Sequence, residues 1–344
     1  MTSRGTPVTG AAGGPVRHVP VLLPEIIDAL APRENGTYID GTFGAGGYTR
    51  ALLESAECIV LAIDKDPEAI SAGRGLEAES GGRLTLVQGA FGDMADIAAA
   101  NGISRADGIA LDLGVSSMQL DQGMRGFSFQ SDGPLDMRMS QAGPSAADAV
   151  NSLAERDLAR VIRVLGEERR ARAIARAIVA AREERPIART GELADIVTRV
   201  LGRRHDDKKH PATRTFQALR LYVNGELDEL VAGLLAAERL LGEGGRLVVV
   251  TFHSLEDRIV KRFLAARAGK AARPSRHAPV SAAPERQPSF ALLHRRAVTP
   301  GADEIKRNPR ARSARMRAGV RMGTPPFPAE AEGLGVPKLS VNSM

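Results

Sequence analysis

Aromatic residues make up only 3% of the 344-residue chain and tryptophan is absent, so the interior must be filled by aliphatic side chains. The single cysteine, Cys58, excludes an intramolecular disulfide framework and any cysteine-rich metal cluster. A reducing cytoplasm is the natural setting, and no metal site is expected. No apolar run approaches the roughly 18 residues that a membrane span needs. Residues 1–17 lack the apolar stretch of a signal peptide and read as a disordered leader.

The charge that is present is unevenly placed. The formal net charge is +6, yet Lys261 to Arg321 alone carries 16 Lys and Arg against three acids, leaving 31 basic and 38 acidic residues elsewhere. A local excess of this size, interleaved with Pro and Gly, suits a polyanion partner. A solvated tail would have the same composition.

From Thr37 onward the chain alternates short apolar runs with helical patterns. Tyr38-Ile39-Asp40 precedes a glycine loop and a helix from about Tyr48 to Ser55, and Cys58 to Ile63 is an almost continuous apolar run closed by Asp64. A run of that kind is a strand covered on both faces. Arg83 to Val87 and Asp107 to Leu111 repeat the pattern, and Pro67 suits the first turn of a helix. The rhythm then stops. Between Met118 and His210 no comparable strand appears, and helices are expected over Ala154 to Leu165, Glu167 to Glu183 and Thr190 to Val200. After one long helix, Thr213 to Leu241, the run Gly245 to Phe252 is again a buried strand. The expected architecture is α/β, a Rossmann-like parallel sheet formed by 18–117 and 211–344, interrupted by a helical insertion at 118–210.

The loop Asp40-Gly41-Thr42-Phe43-Gly44-Ala45-Gly46-Gly47 follows the first strand. Glycines let a backbone approach a ligand without side-chain clash, and the following helix offers free N–H groups. Asp64 lies 20 residues after Gly44, where such folds accept hydrogen bonds from a ribose. Phe91 and Asp112 close the next two strands, and Phe91 offers an apolar wall for an adenine or for the core. The strict dinucleotide string G-x-G-x-x-G is absent. A pyrophosphate would be repelled by Asp40, whereas the ammonium group of a methionine moiety would be attracted to it. S-adenosylmethionine is the reading these residues favour, with a dinucleotide or a purely structural turn as alternatives.

Longer strings carry a resemblance. They include Tyr38 to Gly47, Ala62-Ile63-Asp64-Lys65-Asp66-Pro67, Leu111 to Asp121, Arg125-Gly126-Phe127-Ser128-Phe129, Gly133 to Met139, His210 to Arg220, Phe252 to Arg258 and Asn308 to Ser313. With these blocks, spread from residue 18 to about 317, the chain resembles the bacterial 16S ribosomal RNA (cytosine-N4) methyltransferases, small-subunit methyltransferase H. The resemblance implies the class I methyltransferase fold and S-adenosylmethionine as cofactor. It implies cofactor contacts at Gly46, Gly47, Tyr48, Asp64, Phe91, Asp112 and Gln119, beside the expected contacts at Asp40 and Gly44. It also implies a target cytidine in the decoding centre, at the P site of the small subunit. Tyr48 stands where family members carry His after the two glycines.

The chemistry can be weighed on the residues themselves. Methylation of cytosine at carbon 5 needs a thiolate that attacks the ring, and the only thiol opens a buried strand, far from the carboxyl ends. An exocyclic amine instead needs an acceptor that holds it and aims its lone pair. Asp112, with Ser116 in the loop behind it, is the expected catalytic group, and His253 is a further candidate for contacting the base, or else structural. Many amino-methyltransferases place an aromatic residue after the acid, where this chain reads Asp112-Leu113-Gly114-Val115. Phe127 and Phe129 are candidates to stack on the base, or to pack the insertion on the core.

The target base must be splayed out of its stack to reach a buried donor. Phosphate contacts are expected from Arg169, Arg170, Arg172 and Arg176 of the insertion, from Arg214 and Arg220, and from Arg310, Arg312 and Arg315. Both a monomer and a homodimer are compatible with the sequence.

Overall fold

β-Branched and aliphatic residues without a polar stripe cannot form a helix with a wet face, so they build the central sheet. A computed structural model of the chain describes residues 20–202, 210–270, 286–328 and 333–339. The expected leader and part of the basic segment, 271–285, lie outside these residues.

In chain order the elements are α1 (Leu23–Leu30), β1 (Thr37–Asp40), α2 (Gly47–Ser55), β2 (Ile59–Asp64), α3 (Pro67–Glu79), β3 (Leu84–Gln88), α4 (Met94–Ala100) and β4 (Ala106–Asp112). There follow α5 (Ser117–Asp121), α6 (Ala146–Ser152), α7 (Glu155–Leu165), α8 (Ala171–Glu184), α9 (Thr190–Leu201), α10 (Thr213–Asn224) and α11 (Glu226–Leu240). The chain ends with β5 (Leu241–Thr251), α12 (Ser254–Arg267), β6 (Phe290–Leu292), α13 (Ala302–Arg307) and β7 (Arg315–Arg321). The seven strands lie in the order β3-β2-β1-β4-β5-β7-β6. Those from β3 to β5 are mutually parallel, while β7 runs antiparallel to both its neighbours.

Register aligns the acidic strand ends. Asp40 pairs with Ala62 and Ala110, Asp64 with Gln88, and Asp112 with Val250, so the carboxyl ends of β1, β2, β4 and β5 form one edge. Alternate residues feed two cores. Ile39, Leu61, Ile63, Ile109, Leu111, Leu247 and Val249 face one; Tyr38, Val60, Ala62, Ala110, Val248 and Val250 face the other. The first core continues without a break into the helices between β4 and β5. In α7, Leu158, Val161, Ile162 and Leu165 recur at helical spacing and are all buried there. Truncating the fully buried Ile162 to Ala would cost about 2–5 kcal/mol.

Three expectations are corrected. The helix expected over Thr213 to Leu241 is two helices, because Gly225 adopts φ 60° and ends α10 with its N–H on the Leu221 carbonyl. The second insertion helix begins at Ala171 rather than Glu167, since Glu167 itself has φ 50° and the Glu168 carboxylate accepts the Arg170 N–H. The basic C-terminal segment is not a tail throughout. It supplies β6 and β7 to the sheet, and its Arg315 and Arg317 pair with Asp257 while Arg321 is buried.

Candidate active site

The glycine loop is shaped around Asp40, which has no exposed surface. One carboxylate oxygen accepts the Thr42 N–H at 3.2 Å and the other the Thr49 hydroxyl at 2.7 Å. Burial pushes its pKa up to about 6, against the pull of Thr49. Asp40 is therefore a keystone of the loop and stands behind the cavity wall. Asp40 itself does not line the cavity, so any pull on a ligand ammonium group acts through the loop rather than by contact. Gly46 is likewise behind the wall, in a left-handed conformation (φ 75°) that brings Phe43 within 2.8 Å of where its Cβ would be. Gly47 must also be glycine, because a Cβ there would stand 2.1 Å from Pro20 Cγ.

In front of this loop a cavity of about 970 Å³ opens along the carboxyl edge of the sheet. Of the residues expected at the cofactor site, Gly44, Gly47, Tyr48, Asp64, Phe91, Asp112 and Gln119 line it, as does Ser116. The Asp64 carboxylate accepts the Gly44 N–H at 2.7 Å and the Asp66 N–H at 2.8 Å. Burial pushes its pKa up, and these N–H groups oppose the rise. Ser116 caps α5, with its hydroxyl accepting the Gln119 N–H, while the Gln119 amide returns to the Ser116 N–H and donates to buried Asp66 at 2.8 Å. Asp66 also holds the buried Arg125 at 2.8 Å, which pins the start of the insertion to the end of β2.

Asp112 is the chemically distinctive group. Its N–H donates to the Thr42 hydroxyl at 2.7 Å. Its Oδ1 is sealed from solvent and has no hydrogen-bond partner among the described residues. Burial above all, and then the charge of Asp40, pushes its pKa up to about 8, while the Tyr48 hydroxyl opposes the shift. That hydroxyl donates its proton to the Val21 carbonyl at 2.5 Å, so Tyr48 is locked in the wall. Burial, then the Asp112 charge, holds the Tyr48 phenol well above its ordinary value.

His253 is not in the wall. It caps α12, its Nδ1 accepting the Glu256 N–H at 3.4 Å and its Nε2 lying 2.9 Å from Glu256 Oε1. Glu256 does line the cavity, and its other oxygen accepts the Phe252 and His253 N–H groups at 2.8 and 3.2 Å. Burial alone would raise its pKa, but His253 and Arg220 outweigh it and hold the carboxyl below its usual range. Arg220, expected to contact phosphate, lies in the cavity wall. It forms a two-pronged ion pair with Glu226, at 2.8 and 2.9 Å, and lies 3.8 Å from Glu256.

Of the two candidate aromatics, Phe127 is buried in the core and Phe129 lines the cavity, stacked on His210 with centroids 4.5 Å apart. Phe252, absent from the sequence-based candidates, lines the cavity directly against Gly114. Its place beside β4 is a consequence of the β4–β5 pairing, which no local pattern reveals. Cys58 is buried at the amino end of β2, and burial pushes its thiol up, so no thiolate nucleophile serves this cavity. Among the described residues no group of three or more His, Cys, Asp or Glu side chains is arranged to hold a metal.

Most of the basic residues are exposed whether paired or not, with Arg176 lying 4.0 Å from Glu155 and Arg214 3.8 Å from Glu168. Arg315 is tied to Asp257 and Arg310 to Asp121, at 3.3 and 2.5 Å. Arg169, Arg170, Arg172, Arg176 and Arg214 are exposed on the insertion side, and Arg312 is exposed at the cavity rim.

Comparison with known proteins adds independent findings. Residues 15–321 match the model of the MraW methylase family. The chain is 58% identical over 318 residues to the ribosomal RNA small subunit methyltransferase H of Parvibaculum lavamentivorans, covering 92% of this chain and 93% of that one. It is 59% identical over 327 residues to the protein of the same name from Azorhizobium caulinodans, covering 95% and 93%. Among solved structures, an rRNA methylase from Streptococcus thermophilus matches with a TM-score of 0.35 at 8% identity, covering 86% of this chain and 92% of that chain.

Proposed function

Because the chain belongs to the MraW methylase family, and is thus a methyltransferase of the Rossmann-like class I fold, we propose that it methylates 16S ribosomal RNA with S-adenosylmethionine, at N4 of a cytidine in the P site of the decoding centre. The relatives' name, ribosomal RNA small subunit methyltransferase H, supports the small subunit as partner and the cytoplasm as the place of action. Among the described residues no helix is long and apolar enough to cross a membrane.

The cavity fits the cofactor. Asp64, with both oxygens already anchored by backbone N–H groups, keeps lone pairs for ribose hydroxyls. Phe91 supplies an apolar face, and Gly44, with no side chain, leaves its backbone at the cavity wall for the methionine moiety to approach. Bound there, the cofactor supplies an electrophilic methyl group and leaves as a neutral thioether.

The observation that carries the choice of an amine is the unpartnered Asp112 Oδ1. A buried acceptor without a donor costs about 1–3 kcal/mol, and an N–H of the cytosine amine satisfies it. Held so, the N4 lone pair is aimed at the methyl carbon. Methylation at N4 would require the amine to lose one proton, and Asp112 would serve as its acceptor. Rate comes chiefly from this positioning. The insertion (118–210) and the exposed arginines serve as the RNA-facing side, and the target base is drawn out of its stack into the cavity.

The reading is tested by incubating the purified protein with labelled S-adenosylmethionine and small subunits from cells lacking the enzyme. Label in N4-methylcytidine is the expected result; label in another nucleoside, or none, refutes it.

A further inference from the structure

Gly114 follows Asp112 by two residues and takes φ 97°, which strains any other residue type. Around the space where its Cβ would stand are two other wall residues, Arg220 Nη1 at 3.7 Å and Phe252 Cδ2 at 3.8 Å. Arg220 and Phe252 thus face the space at Gly114, and both line the same cavity as Asp112.

Two of these three side chains keep unused hydrogen-bonding capacity. Asp112 Oδ1 is a sealed acceptor with no donor. Arg220 spends Nε and Nη2 on Glu226, and Nη1 makes no hydrogen bond among the described residues. An arginine presents five N–H donors in a rigid fork, so the edge left over is a fixed pair of donors rather than a mobile charge. Its alternative role, pairing with acids across the α10–α11 turn, is already fulfilled by the other edge. Phe252 is half-buried and gives a flat apolar surface beside both. Glu256 accepts two backbone N–H groups on Oε2, while its Oε1 lies 2.9 Å from His253 Nε2 and 3.8 Å from Arg220 Nη2.

We propose that Arg220, Asp112 and Phe252 form a base-reading subsite that selects cytosine, with Arg220 as its specificity-determining residue. Cytosine offers one edge that fits this set: an amine donor for Asp112, and the N3 and O2 acceptors for Arg220, with the ring lying on Phe252. Uracil fails at N3, where its N–H meets a guanidinium donor, and fails at O4 as well once Asp112 is ionised. Adenine offers the amine and one ring acceptor but no carbonyl to match O2. Glu226 is then a positioning residue, holding the guanidinium so that its open edge faces Gly114. The inference deepens the reading given above and rests on a cytosine being the substrate.

The test uses the full chain saturated with S-adenosylhomocysteine and titrated with cytidine and uridine 5′-monophosphates by NMR. The wild type is expected to prefer the cytidine nucleotide, and Arg220→Lys, which keeps the charge but loses the fork, is expected to abolish the preference. Arg220→Lys should also slow single-turnover methylation of small subunits by about tenfold or more, the scale of one lost bidentate base contact. Its affinity for S-adenosylhomocysteine and its melting temperature should stay near wild type. Phe252→Leu should weaken both nucleotides, with Phe252→Tyr restoring them. A wild type without preference, an Arg220→Lys variant that keeps it, or a loss of cofactor affinity equal to the loss of nucleotide binding overturns the proposal. Should the wild type place no methyl group on small-subunit cytidine, the functional reading fails instead, and the nucleotide titration reports on the subsite separately.

Discussion

The backbone N–H of Gly44 donates a 2.7 Å hydrogen bond to the carboxylate of Asp64, joining the glycine loop after the first strand to the end of the second. Twenty residues of chain separate the two, and the whole of α2 lies between them. The bond sets the loop at the height where the cavity begins. Asp64 therefore has a double task, shaping the loop and accepting from the ribose. Asp64→Ala should raise the Kd for S-adenosylmethionine by at least about tenfold, the loss of a charge-assisted hydrogen bond. Calorimetric titration measures this, and an affinity unchanged within error refutes the assignment.

Asp112 separates binding from turnover. Asp112→Asn should lower kcat by about 100-fold or more while leaving the cofactor Kd within a few-fold. Because the Asp112 pKa is pushed up to about 8 in the free protein, it holds its proton below that value and loses it above. Turnover should then rise with pH along a limb governed by Asp112, and the limb should vanish in the Asn variant.

The same shift has a consequence for stability. A carboxyl whose folded pKa is raised favours folding while protonated, so its contribution is fully present below the ordinary value of 3.8 and is lost as pH rises to about 8. The melting temperature of the ligand-free protein should fall over that window, and Asp112→Asn should remove part of the fall. A variant whose melting curve tracks the wild type at every pH contradicts the assigned pKa.

Arg125 and Asp66 form a buried pair at 2.8 Å between the insertion and the end of β2, with Gln119 on the same carboxylate. Removing one partner strands a buried charge. Arg125→Ala should cost about 3–5 kcal/mol in chemical denaturation. A loss below about 1 kcal/mol would mean that the pair behaves as a surface contact.

Arg312 is exposed at the cavity rim, and Arg172 is exposed on α8. Arg312→Ala should weaken binding to small-subunit RNA and reduce the slope of log K against log salt by about one. Truncation of the basic segment is no test of this, because it would remove β6 and β7 from the sheet. Arg315→Ala, whose partner is Asp257, should change the slope less.

The parallel strands were legible because burial on both faces writes itself as unbroken apolar runs, as in Ile59 to Ile63. The site was legible for a related reason. Asp64, Phe91 and Asp112 end successive strands, and parallel register brings strand ends together. What stayed hidden was set by backbone conformation and by distant pairing. The Asn224-Gly225 pair is itself a turn signal, masked by the helical pattern on either side of it, and Gly225 is the break. Asp40 looked like a ligand contact because its two satisfying groups, Thr42 and Thr49, follow it in sequence without marking which way the carboxylate turns. Arg220 read as one more helix-surface arginine, since its acid partners Glu226 and Glu256 become neighbours only after the chain reverses. Composition likewise did not distinguish an electrostatic tail from a segment whose arginine-rich β7 lies inside the sheet, between β5 and β6. Each such arginine is matched to an acid, or to a carbonyl, elsewhere in the fold.

The central claim is most directly tested by mass spectrometry of nucleosides from 16S rRNA of cells with and without this gene. The account predicts that N4-methylcytidine at the P site depends on the gene and returns when the wild-type chain, but not Asp112→Asn, is supplied. An unchanged N4-methylcytidine level in its absence would contradict the account.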